Sequence, residues 1–202
     1  MFDVLIIGGG VSGVSCALIL GSAKSKPFAV DKKIGIISHQ KASSLQNAIY
    51  NNAYGIAPGK LGSELLDESL EHLQKMYPNV EQISGEKVME IQGEVGGFTI
   101  FTNRNVYTTK TICIGIGASN PFLIEGLEAF VEPHKKAAPE KNRIQLKNDD
   151  HYVKDGVYVM GTLAGQRSQL SIAAGSGASV ATDILTLWND GKPVQVHDAL
   201  DK

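Results

Sequence analysis

A chain of 202 residues, 43% of them apolar, with 22 glycines and only 6% aromatics, can bury a full hydrophobic core and does not have the composition of a disordered protein. A formal charge of -2 gives no electrostatic case for nucleic acid or an anionic membrane as partner, and two cysteines without C-x-x-C spacing exclude a disulfide framework and the usual redox dithiol. No apolar run in the sequence approaches the roughly 20 residues of a membrane span and no basic leader precedes the first one, so one α/β domain over residues 1–202, in the cytoplasm, is the expected organisation.

The first predicted element is a strand at residues 4–7, Val-Leu-Ile-Ile, a continuous apolar run of the kind buried on both faces of a parallel sheet. Gly8, Gly10 and Gly13 then fill the spacing G-x-G-x-x-G, and the small and apolar series Val14, Ala17, Leu18 and Ile19 predicts a helix from Val11. In such a turn Gly8 permits the tight bend, Gly10 leaves space for a pyrophosphate at the backbone, and Gly13 lets the helix pack close to the strand. The phosphates would lie on the exposed amides at the positive end of that helix. The motif alone is weak, but its place between a buried strand and a helix favours a dinucleotide site over a glycine-rich turn.

Residues 22–33 read as a polar insertion, and Ile34-Gly35-Ile36-Ile37-Ser38 as the second parallel strand. Dinucleotide folds place an acid at the end of this strand, where it binds a ribose hydroxyl. Two positions compete for that place: Asp31, 18 residues past Gly13 after a short apolar run, and Ser38, 25 residues past it and ending the better strand. Ser38 is preferred, which replaces the acid by a neutral hydroxyl. A helix is predicted at 62–76, with Leu65, Leu66, Leu70 and Leu73 on one stripe and Pro78 as its stop. Residues 80–110 alternate as an antiparallel meander, with turns at Gly96-Gly97 and Asn103-Arg104-Asn105.

A separate apolar strand at 111–114 ends in Gly115-Ile116-Gly117-Ala118, at the edge where α/β sheets take their ligands. Residues 119–154 are loop-rich with one short strand at 144–146; the last buried strand lies in 156–161, and a helix runs from 168 to 188 with the small face Ala173, Ala174, Gly177 and Ala178.

In this order the segments resemble the FAD-binding domain of thioredoxin reductases and related pyridine nucleotide-disulfide oxidoreductases: a Rossmann-like α/β fold with a central parallel sheet and an inserted antiparallel meander. Four motifs carry the resemblance: residues 8–13, the Lys87-Val88-Met89-Glu90-Ile91 stretch, Ile114-Gly115-Ile116-Gly117, and Gly161-Thr162 joined to Ser168-Gln169-Leu170 and Ala173-Ala174-Gly175-Ser176-Gly177. The resemblance implies FAD as cofactor. Gly8, Gly10, Val11, Ser12 and Gly13 would take its pyrophosphate and the main chain at Val88 would meet the adenine. Ser38, Gly115, Ile116, Gly117, Gly161 and Thr162 would line the cleft, Asn52 would lie near the flavin, and Ser168, Gln169 and Leu170 would face the flavin pyrimidine. Two anchors depart from the family, Ser38 for its acid and Thr162 for the aspartate of its closing Gly-Asp. The family's NADPH domain and its dithiol are absent, the segments 1–118 and 119–202 being joined directly.

An oxidoreductase follows from the resemblance, with its chemistry at the flavin and electrons supplied by free NAD(P)H or a partner protein. The alternative is a non-catalytic module binding FAD or another adenine dinucleotide; a plain NAD(P)-binding protein is disfavoured by the inserted meander. An uncovered flavin face leads us to expect a homodimer. Gln40, Lys41 and Ser43 are open between a phosphate-holding loop and a solvated one, and Arg167 between an anion contact and a surface arginine. His39, His72 and His134 read as surface residues, His134, His151 and His197 have no metal spacing, and Cys113 reads as an inert core residue.

Overall fold

The computed structural model describes residues 1–39 and 43–197. The chain opens with β1 (Phe2–Ile7) and α1 (Val11–Ser22), and returns in β2 (Ile34–Ser38), which is buried throughout and parallel to β1 with Val4 opposite Ile34. A two-stranded ribbon, β3 (Ile49–Tyr50) and β4 (Lys60–Leu61), leads into α2 (Gly62–Met76), which buries Leu66 and Leu73. Then come β5 (Val80–Ser84), β6 (Val88–Gln92), β7 (Phe98–Thr102) and β8 (Val106–Ile114). A second small ribbon, β9 (Val131–Pro133) with β10 (Ile144–Leu146), precedes β11 (Tyr152–Lys154), β12 (Val157–Val159) and α3 (Leu170–Trp188).

The main sheet has eight strands in the order β11-β12-β8-β1-β2-β5, with β7 also paired to β8 and β6 to β7. Because side chains alternate along β1, it feeds both layers. Leu5 and Ile7 pack with Phe98, Ile100 and Ile91 of the meander, while Val4 and Ile6 pack with Val14 and Ala17 of α1 and Val180 and Ile184 of α3. All these apolar side chains are buried.

The expectations hold for β1, α1, β2 and α2, and for the meander of β6, β7 and β8. They need four corrections. The 80–84 strand is parallel to β2, not part of the antiparallel meander. It lies at the edge of the sheet with Glu81 and Ser84 exposed, while Val80 enters the core layer of α1 and α3 and Ile83 the layer of the meander, so apolar residues three apart serve both faces of a half-solvated parallel strand. The supposed strand at 111–114 is the second half of β8: its first half pairs antiparallel with β7 and its second half parallel with β1 and β12. The short β3, β4, β9 and β11 were not predicted, since two or three residues show no period; of equal length, 144–146 was legible only through the two apolar residues flanking Gln145.

The fourth correction concerns α3, which is long and apolar enough to span a membrane, at 19 residues and mean hydropathy 1.3. Val180, Ala181, Ile184 and Leu185 are buried in the core layer shared with α1, and a third of the apolar stretch is buried in all.

Candidate functional site

At the carboxyl end of β1 the backbone turns through Gly8, whose φ of +117° is one that L side chains rarely adopt. The Gly8 amide donates to Ile37 O at 2.9 Å, and the Gly115 amide to Ile7 O at 2.8 Å, so the three central strands end side by side. A Cβ on Gly8 would lie 2.4 Å from Gly115 O, and one on Gly13 would lie 1.8 Å from Gly8 O. A Cβ on Gly177 of α3 would lie 1.9 Å from Ser12 O. Backbone meets backbone at each of these points, so α1 is wedged against β1 on one side and α3 on the other. Ser15 Oγ donates to Ala174 O at 2.8 Å and Gly161 N donates to Ser176 Oγ at 2.8 Å, which pins the same helices and the turn after β12.

Gly10 differs from its neighbours. It is the N-cap of α1 with φ -83° and ψ -173°, ordinary extended backbone, and a Cβ there would meet nothing within 4 Å. The helix it caps has no side-chain cap and no acidic residue in its first turn. Its first amides and its dipole are therefore not answered by a side chain, the arrangement that takes phosphate oxygens. Gly117 is likewise open, with no atom within 4 Å of a Cβ, and Ile116 is 42% exposed. Across the same edge, α3 begins after Gln169 with no side-chain cap and no acid in its first turn; Ser168 and Gln169 are exposed and Leu170 half-buried.

Ser12 is buried and its Oγ lies 2.7 Å from a Cβ built on Gly115 and 3.0 Å from one on Gly161. Its side chain faces the glycine junction, so what Ser12 and Val11 offer a ligand is main chain. Ser38 ends β2 as the sequence suggested, buried, with its hydroxyl 3.5 Å from that of Ser84, a separation at which such a bond is weak. Asp31 precedes β2, exposed at the opposite end of that strand, so Ser38 alone of the two candidates stands beside the glycine turn. Gly161 opens the turn at 161–164, with Thr162 half-buried in it. Val88 starts β6 with its side chain in the core, and Asn52 is exposed in the loop between β3 and β4. Gln40 and Lys41 lie outside the described residues.

Among the remaining residues, Cys113 is fully buried, and burial pushes its thiol well up, with the Cys16 sulfur beside it. Tyr158 in the same layer is pushed up to about 12, chiefly by burial. His39 and His72 are exposed; His151 is buried with a ring nitrogen 3.1 Å from Val159 O, a structural contact. No group of three His, Cys, Asp or Glu stands together among the described residues.

Sequence reasoning missed Gln145. It is wholly buried between Ile144 and Leu146, its Oε1 accepts from Lys135 N at 2.8 Å, and its Nε2 donates to Glu132 Oε1 at 2.7 Å. Gly165, in the loop leading to α3, lies so close that a Cβ there would be 2.5 Å from Gln145 Oε1. Gln145 thereby seats the turn 134–143 against the loop 161–169. A polar residue between two apolar ones in a short strand was the only signal for it. Two concavities, of about 280 and 180 Å³, lie elsewhere: one along Lys87, Met89 and Leu123, the other along His134, Pro139 and Arg143.

The parallel sheet with its glycine turn and two uncapped helix starts at one edge defines a Rossmann-like domain of the kind that binds FAD in thioredoxin reductases. The family described as pyridine nucleotide-disulphide oxidoreductase matches residues 2–177, and the chain belongs to that family. It is 27% identical over 179 residues to a ferredoxin–NADP reductase of Pediococcus pentosaceus, covering 86% of this chain and 50% of the relative. It is 26% identical over 155 residues to a ferredoxin–NADP reductase of Shouchella clausii, covering 77% of this chain and 43% of that one. The chain thus spans about half the length, or less, of these relatives. In fold it is similar to a thioredoxin reductase from Gloeobacter violaceus, with a TM-score of 0.75 at 14% identity over 98% of each chain.

Proposed function

We propose that the chain binds FAD along the edge built by residues 8–13, 115–117 and 161–170, and works as the flavin-bearing part of an oxidoreductase with an external electron donor. The observation that carries the reading is the pairing of an open Gly10 with an uncapped helix start, set in a junction where neighbouring glycines are packed tight. The pyrophosphate would lie over Gly10 on the amides of Val11, Ser12 and Gly13. The start of α3, with Gln169, would face the flavin pyrimidine, where helix amides and dipole favour negative charge. Ser38 would stand at the ribose and Thr162 at the ribityl and phosphate region, each a neutral hydroxyl where a carboxylate would add a charge-assisted hydrogen bond, so binding is weaker than with an acid there. The flavin supplies the redox chemistry; the protein supplies placement and electrostatics. With Cys113 buried and no C-x-x-C in the chain, no thiol of this chain takes part.

Purified protein that is yellow and bleached by a biological reductant supports this reading. Protein that stays colourless and gains no thermal stability from added FAD refutes it. A cytoplasmic location and a homodimer that covers the flavin face belong to the same proposal, the second checked by sedimentation of the loaded protein.

A further inference from the structure

We propose that the turn 134–143 is a docking surface for the acidic face of a partner protein that delivers electrons to the edge described above, an inference that rests on the flavin reading. Lys135, Lys136, Lys141 and Arg143 fall within ten residues that carry one acid, Glu140, and all four bases are exposed, on a chain whose formal charge is -2. The positive charge is therefore local, and little of it is neutralised by neighbours. Lys136 Nζ donates to the neutral Gln166 Oε1 at 3.3 Å and Arg143 Nη1 to Ser119 Oγ at 3.3 Å, while Lys135 has Glu132 at 3.7 Å.

The turn is also held in place. Lys135 N is bonded to the buried Gln145, Lys136 N to His134 Nδ1 at 3.1 Å, and Asn142 N to Pro139 O at 3.0 Å. On one side Ile144 N donates to Ala118 O and Asn120 Nδ2 to Asn142 Oδ1, tying it to the chain just past Gly117; on the other, Gln145 and Lys136 tie it to Gly165 and Gln166, just ahead of α3. Its charges thus bridge the two loops proposed to border the flavin, and fixed charge around a site speeds and orients the approach of an oppositely charged protein. The concavity in the turn, about 180 Å³ and walled by Ala137, Ala138 and Pro139, is smaller than the roughly 300–1,000 Å³ of small-molecule sites, which favours a protein surface over a second dinucleotide.

The test uses the full chain and a fluorescent oligo-glutamate peptide as probe, titrated at low salt by anisotropy, with NADPH as competitor and flavin content read by absorbance. The triple variant K135E/K136E/R143E is expected to bind the peptide at least about tenfold more weakly, while K24E/K26E/K32E, in the other lysine-rich segment, stays within about twofold of the parent. Lys141→Glu, at an exposed side chain, is expected to weaken binding by a few fold and serves if the triple variant does not fold. Equal losses in both triple variants, unchanged binding in the first, or displacement of the peptide by NADPH would overturn the docking surface. Colourless protein with the expected peptide pattern overturns the flavin reading and with it the electron delivery, leaving only an anion-binding turn, and yellow protein without that pattern overturns only the docking.

Discussion

Gly10→Asp should move stability and cofactor affinity in opposite directions. The backbone at Gly10 is extended and a Cβ has open space, so the substitution introduces no strain. Aspartate is a better N-cap than glycine by a few tenths of a kcal/mol, its charge at the positive end of α1 adds about 0.3–1 kcal/mol, and loss of glycine's freedom in the unfolded chain adds about 0.4–1 kcal/mol. The expected gain is roughly 1–2 kcal/mol, or a Tm higher by about 2–8 °C at the 2–4 °C per kcal/mol usual for a chain of this size. A pyrophosphate over the same turn would meet a like charge about 5 Å away, a repulsion of about 3 kcal/mol at an effective dielectric of 20, so FAD affinity should fall by about two orders of magnitude. Calorimetry of the apoprotein and titration of flavin fluorescence read the two effects separately. A variant that melts several degrees below the parent, or that keeps full affinity for FAD, would refute the account of this turn.

Gly13→Ala, one turn further on, should do the reverse to stability: its Cβ would lie 1.8 Å from Gly8 O, and such overpacking costs about 1–3 kcal/mol or more, seen as a lower Tm by calorimetry. Cys113→Ala should cost about 1 kcal/mol for the small void and leave flavin content unchanged by absorbance; loss of turnover with FAD still bound would overturn the inert-core reading. Glu86 is buried, accepts from Thr102, Asn105 and Tyr107, and is held below its ordinary value of 4.5 by those bonds working against its burial. The stability it contributes is thus full above pH 4.5 and fades as pH falls through its lowered folded value, so Glu86→Gln should flatten the acid limb of urea midpoints plotted against pH. Gln145→Leu should cost roughly 2–3 kcal/mol by leaving Glu132 and the Lys135 amide without their buried partner, and hydrogen exchange should rise at 134–143 and 165–169.

The parallel core and its first turn were legible because their signals are local. Four apolar residues in a row, glycines at fixed offsets and a leucine stripe each reflect the period of one element. The end of the second strand at Ser38 was legible for the same reason, since the apolar pattern of residues 34–38 is the stronger one. Pairing partners were not. Whether Val80 and Ile83 belong to a parallel or an antiparallel strand depends on β2, more than forty residues away in sequence, and two apolar residues three apart do not tell the two cases apart. Gln145 was illegible because its role comes from three segments, 132–135, 145 and 165, that only the fold brings together.

β8 runs without a break from the β-meander into the parallel layer, its first residues paired to β7 and its last to β1 and β12. A splice of this kind removes any seam along which the insertion could come loose: pulling on the hairpin strains a central strand of the parallel layer. The molecule should therefore lose its order in one concerted event, and a graft that swaps the hairpin for a short linker would have to rebuild half of a central strand.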